Sequence, residues 1–174
     1  TSIAQEKLTY SIDYSAKRPG IVRVAITQSK PKRGPATLVM PRAIPSGYDQ
    51  QFYDRYVQNV KGNSTGDKPA LVVREDGPRW RIGDGQAVIS KVEYEVDLAK
   101  LEREITSASD SSKARANYVG ILGYSLFGYL DGAENLSVRL EISGPDGWPI
   151  FTTLAPKHLP DKTKTAAEAK NFFE

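Results

Sequence analysis

Apolar residues recur at every second position through much of the first half of the chain, and a period of two is the spacing of a half-buried β-strand. Leu8, Tyr10, Ile12 and Tyr14 fall on one face of an extended segment, with Thr9, Ser11 and Asp13 opposite. Val22, Val24 and Ile26 repeat the pattern after Lys17-Arg18-Pro19-Gly20, a hairpin-like break. Thr37 to Met40 reads as a short third strand ended by Pro41. Ala70 to Arg74 and Arg79 to Ile82 flank the turn signal Glu75-Asp76-Gly77-Pro78. Val88, Ser90, Val92, Tyr94 and Val96 alternate with Ile89, Lys91, Glu93 and Glu95, which predicts the longest strand. Asn135 to Ser143 alternates through Leu136, Val138, Leu140 and Ile142, and Gly147-Trp148-Pro149-Ile150-Phe151 closes the β-rich part.

Three segments break that rhythm. Tyr48, Phe52, Tyr56 and Val60 recur every four residues, a helical spacing, as do Leu98, Leu101 and Ile105 in a Lys/Glu/Arg-rich run. Thr165 to Lys170 has helix-forming composition and is followed by Phe172 and Phe173. Ser107-Ala108-Ser109-Asp110-Ser111-Ser112 reads as a polar, mobile loop. The expected fold is mainly β: sandwich-like, twisted antiparallel sheets with two or three short helices. Residues 1–160 form a single β-rich domain, and 161–174 begin a helical connection.

Composition matters chiefly for what it excludes. The chain has 174 residues with no cysteine and a single histidine, His158, so disulfides, thiolate sites and multi-imidazole metal sites are ruled out. Gly123-Tyr124-Ser125-Leu126-Phe127 misses the nucleophile elbow because Phe127 stands at the second glycine position. Gly83-Asp84-Gly85 lacks the third glycine of a dinucleotide fingerprint and reads as a turn. Glu93 and Glu95 share a strand face; a carboxylate pair can serve glycosidase chemistry, but a solvated outer face is the plainer account. No residue set reads as a catalytic centre or a metal site. No apolar run approaches the ~18–20 residues of a transmembrane helix.

The net charge is +3, yet no acidic residue lies between Asp13 and Asp49, where Lys17, Arg18, Arg23, Lys30, Lys32, Arg33 and Arg42 fall. Without interleaved aromatics or a recognisable module this stretch does not make a nucleic-acid binder, and solvated loop charge is the expectation. Ser2-Ile3-Ala4 ahead of Gln5 has the small-x-small spacing of a signal-peptidase site, which points towards export.

Met40-Pro41-Arg42-Ala43-Ile44-Pro45-Ser46-Gly47-Tyr48, followed by Phe52-Tyr53-Asp54-Arg55-Tyr56-Val57, resembles a signature in the N-terminal domain of glycyl-aminopeptidase-type zinc metallopeptidases. Arg79-Trp80-Arg81-Ile82, Tyr94-Glu95-Val96, Gly123 to Tyr129, Gly147-Trp148-Pro149 and Thr152-Thr153-Leu154 resemble later landmarks of the same family, in the same order. The resemblance covers Leu8 to Leu154. Ser46 replaces a usual glycine, and the charged insert Leu98–Arg115 is longer than the family pattern.

The resemblance implies a non-catalytic β-domain that packs on a C-terminal catalytic domain of the same chain and shapes one wall of its substrate cleft. It also implies a secreted or periplasmic protein, with peptide as the parent's substrate. Zinc would belong to the parent protein, with no cofactor in these residues, and no zinc ligand or catalytic residue carries over. For contact with the partner domain, the glycine-rich Gly120–Tyr129 stretch offers Tyr124, Phe127 and Tyr129, and Tyr48 and Phe52 follow the Pro-Ser-Gly turn. The alternative is a stand-alone carbohydrate- or protein-binding module using exposed aromatics, for which three or more coplanar aromatics on one sheet face would be the sign.

Overall fold

The computed structural model describes residues 6–43, 50–107, 109–153 and, for the backbone alone, 171–173. Among the described residues there are thirteen strands: β1 Lys7–Tyr14, β2 Ile21–Gln28, β3 Ala36–Val39, β4 Val57–Ser64, β5 Lys68–Ala70, β6 Val72–Arg74, β7 Arg79–Ile82, β8 Ile89–Asp97, β9 Lys113–Ala114, β10 Val119–Gly120, β11 Tyr129–Leu130, β12 Ser137–Ser143 and β13 Asn171–Phe173. Helix α1 spans Leu98–Glu104, α2 is a single turn at Gly123–Leu126, and Tyr53–Tyr56 forms a 3-10 turn.

A seven-stranded sheet runs β13-β12-β1-β2-β8-β4-β5, and a four-stranded sheet runs β11-β3-β7-β6. All pairs are antiparallel except β1 with β12, which lie parallel from Lys7↔Ser137 to Asp13↔Ser143. One face of the large sheet presents Leu8, Tyr10, Ile12, Val22, Val24, Ile26, Val92, Tyr94 and Val96, the apolar half of each alternation. The small sheet answers with Leu38, Trp80 and Ile82, and α1 adds Leu98 and Leu101, so both sheets share one core. Gly62 on β4 lets the sheets approach: a Cβ there would sit 2.0 Å from Cγ2 of Ile82. At the large sheet's end Asp97 caps α1, accepting from the Lys100 N–H at 2.8 Å.

Most of the expected strands and the helix at Leu98 are present, but the segment Ala70–Arg74 is split: β5 ends at Ala70 in the large sheet and β6 Val72–Arg74 lies in the small one. The four-residue spacing from Tyr48 to Val60 does not make a helix: Tyr53–Tyr56 is one 3-10 turn and Val57–Ser64 is strand β4. Asn59, at φ +53°, sits at a shift in register between Gln58 and Lys61. Such a bulge interrupts the period of two and so imitates a helical spacing. A second shift, opposite Asn63 and Ser64, puts Ile89 rather than Val88 into the core. The serine loop is not simply solvated: Ser111 and Ser112 are buried. Residues 165–170, expected to be helical, lie outside the described residues, whereas Asn171–Phe173, in the same expected helical segment, pairs with β12 as a strand.

Candidate docking surface

Two buried tyrosines fix the segment that leads out of the core. The Tyr94 hydroxyl donates to the Leu126 carbonyl at 2.9 Å and accepts from the Gly128 N–H at 2.8 Å. Tyr10 donates to the Gly128 carbonyl at 3.0 Å. Burial raises both phenols, Tyr10 to about 12, so both stay protonated as the bonds require. Position 128 must be glycine for close approach, since a Cβ would lie 2.8 Å from Leu38 Cδ1 and 2.9 Å from Met40 Sδ. The turn α2 is thereby held against the core from its C-terminal side.

From that anchor the chain builds outward. Ser112 and Ser125, both buried, share a hydroxyl hydrogen bond of 2.5 Å, and the Leu122 N–H donates to Ser112 Oγ at 2.7 Å. These bonds tie the serine loop to α2. The loop's carbonyls then receive two phenols: Tyr53 donates to Asp110 at 2.8 Å and Tyr124 to Ser109 at 2.6 Å. The two rings lie 5.8 Å apart. Burial first, and the charge of Asp110 after it, raises the Tyr124 phenol.

Beside this aromatic pair sits a charged cluster. Asp54 is 1% exposed, and Arg42 donates to it through Nε at 2.9 Å and Nη2 at 3.0 Å. Arg74 adds a third bond at 3.0 Å. Burial pushes the Asp54 carboxyl up, but the Arg42 hydrogen bonds and charge, helped by Arg74, outweigh it and leave the carboxyl below its ordinary value. Phe52, 37% exposed, carries the guanidiniums of Arg42 and Arg55 at 4.5 and 4.7 Å from its ring centroid. Arg74 stacks at 5.0 Å on Trp80, which belongs to the core.

The five residues singled out from sequence therefore separate. Tyr48 lies outside the described residues. Phe52 is exposed; the next residue, Tyr53, is 1% exposed, and its ring meets that of the half-buried Tyr124. Phe127 turns inward, edge-on to Tyr10 at 5.5 Å. Tyr129 is opposite Val39, which is opposite Arg79, so it shares the outer face of the small sheet, away from Trp80 and Ile82. The exposed aromatics Phe52, Tyr118, Tyr129 and Phe151 lie on separate segments, and of these four only Tyr129 is in a strand. Sequence reasoning missed Tyr53, Asp54 and Arg74. The one hint was that Arg42, Tyr53 and Asp54 fall within the family-like motif.

The basic stretch near the N-terminus is partly paired with carboxylates. Arg18 reaches Glu95 at 2.5 Å and Arg23 reaches it at 3.3 Å, with Asn59 and Gln58 donating to the same carboxylate. Glu95 is only 8% exposed and its carboxyl is pulled to about 2, first by the Arg18 hydrogen bond. The solvated face expected for Glu95 is thus corrected to a held cross-strand carboxylate; Glu93 pairs with Lys91 at 2.8 Å. Among the described residues no three His, Cys, Asp or Glu side chains are grouped to hold a metal, and no helix is long and apolar enough to cross a membrane. With no cysteine and one histidine in the whole chain, its residues do not fit a zinc site.

A β-domain with an arginine- and aromatic-lined rim is the class that fold and surface define. The family model "Peptidase M61 N-terminal domain" matches residues 9–174, and the chain belongs to that family. Among solved structures it is similar to an aminopeptidase N family protein from Idiomarina loihiensis, with a TM-score of 0.75 and 16% identity. That match covers 95% of this chain and 26% of the other, so the chain spans about a quarter of its structural relative's length. No curated protein matches the chain.

Proposed function

We propose that this chain is the non-catalytic N-terminal β-domain of a secreted or periplasmic zinc metallopeptidase of aminopeptidase type. It packs on a catalytic domain that follows in the same protein and forms one wall of the peptide cleft. The observation that carries this reading is the family match over residues 9–174, and the similarity to about a quarter of a longer aminopeptidase-family chain supports it. Zinc belongs to that further domain, since the residues here do not fit a metal site. The partly exposed rings of Phe52 and Tyr124 mark the docking surface, Tyr124 being seated on buried Tyr53 and on α2, which Tyr94, Gly128 and Ser112 brace from the core.

The test is the intact mass and metal content of the native gene product, with peptide mapping beyond Glu174. A product several times larger, carrying about one zinc per chain and cleaving aminoacyl substrates, is the expected result. A product ending near Glu174 without zinc would overturn the reading and favour a stand-alone binding module.

A further inference from the structure

Three guanidiniums lie around the turn that follows Phe52, and one carboxylate answers two of them. Both oxygens of Asp54 are engaged, by Arg42 and by Arg74. Arg55 stacks on Phe52, and no carboxylate of the described residues lies within ion-pair distance of it. A guanidinium has five N–H donors in a planar fork. Asp54 takes two from Arg42 and one from Arg74, so most of their donors, and those of the Arg55 side chain, remain for solvent or a ligand.

The cluster is also built rather than incidental. A buried aspartate is satisfied by one bidentate arginine, yet here a second arginine that is 51% exposed is drawn in as well. Stacking on Phe52 and on Trp80 restricts the planes of the guanidiniums before any ligand arrives. Pre-ordering of this kind lowers the entropy lost on binding. Nearby, Glu104 pairs with Lys100 at 4.0 Å, so it adds no net negative charge to the rim.

We infer that Arg42, Arg55 and Arg74 form a carboxylate-binding site that receives an aspartate or glutamate side chain of the domain docking on this face. The inference rests on the proposed function and names the chemistry of its interface. The fork geometry of two N–H donors matches a carboxylate edge, and Phe52 supplies an apolar floor beside it.

The test uses the 174-residue chain and a blocked pentapeptide of alternating glycine and glutamate, followed through the arginine Nε–H signals in NMR. Saturable shifts at Arg42, Arg55 and Arg74, absent with the glutamine version of the peptide, are expected. Arg55→Gln, which leaves the Asp54 bonds in place, should weaken binding about tenfold, the worth of one charge-assisted hydrogen bond. Arg33→Gln, on a different segment, should leave affinity unchanged. Equal binding of the glutamine peptide, no effect of Arg55→Gln in a normally folded protein, or an equal loss in Arg33→Gln would each overturn the site. So would inorganic phosphate competing better than the peptide. If the site fails while the gene product proves long and zinc-bearing, docking lies elsewhere and the proposed function stands.

Discussion

Tyr94→Phe probes the brace on which the rim depends. The phenol oxygen is enclosed, and it satisfies two backbone groups at once, the Leu126 carbonyl at 2.9 Å and the Gly128 N–H at 2.8 Å. Phenylalanine keeps the ring in place and removes both partners together. A buried donor or acceptor left without a partner costs about 1–3 kcal/mol, so the two together cost about 2–4 kcal/mol after local relaxation. Tyr10→Phe is the internal standard, because its hydroxyl donates only to the Gly128 carbonyl and its loss costs about 1 kcal/mol. Urea unfolding followed by the fluorescence of Trp80 and Trp148 gives both values, with an unchanged m-value as the sign of an intact two-state transition. Hydrogen exchange at Gly128 should accelerate in Tyr94→Phe by more than in Tyr10→Phe. A Tyr94→Phe protein within about 0.5 kcal/mol of its parent would refute the reasoning, since that is the size of an ordinary surface change.

Gly62→Ala places a methyl 2.0 Å from Cγ2 of Ile82, and overpacking of this kind should lower stability by about 1–3 kcal/mol in the same denaturation assay. The Glu95 carboxyl lies at about 2 when folded against an ordinary 4.5, so its stabilising effect is full above 4.5 and is lost as the pH falls from there towards 2. Glu95→Gln should therefore flatten the acid limb of a stability–pH profile in that window, and an unchanged slope would contradict the Arg18–Glu95 assignment. Phe52→Ala removes the platform under two guanidiniums, and thermal melting should show a loss of about 1–2 kcal/mol, each cation–π contact being worth ~0.5–1.

The strands were legible where alternation was unbroken. In β1 and β2 the apolar side of each alternation, including Leu8, Tyr10, Val22 and Val24, is the buried side. Legibility failed at bulges, because Asn59 inserts a residue and Tyr56 and Val60 then imitate a helical repeat in what is partly a strand. It failed again for Ser112 and Glu95, polar residues whose burial depends on partners far away in sequence, Leu122 and Ser125 for the first and Arg18 for the second. The parallel pairing of β1 with β12 spans most of the chain and leaves no local trace in sequence. For the rim, Phe52 and Tyr124 were visible as aromatics near turns. The arginines that organise Phe52 gather around Asp54 through tertiary contact, which spacing does not encode.

The central proposal is that a further domain of the same protein covers the rim of Phe52 and Tyr124. Hydrogen–deuterium exchange on the full gene product and on the 174-residue chain alone tests it most directly. Segments 50–56 and 109–126 should exchange more slowly in the full product than in the isolated chain. Equal exchange of those segments in both, with slowing confined to other faces, would contradict it.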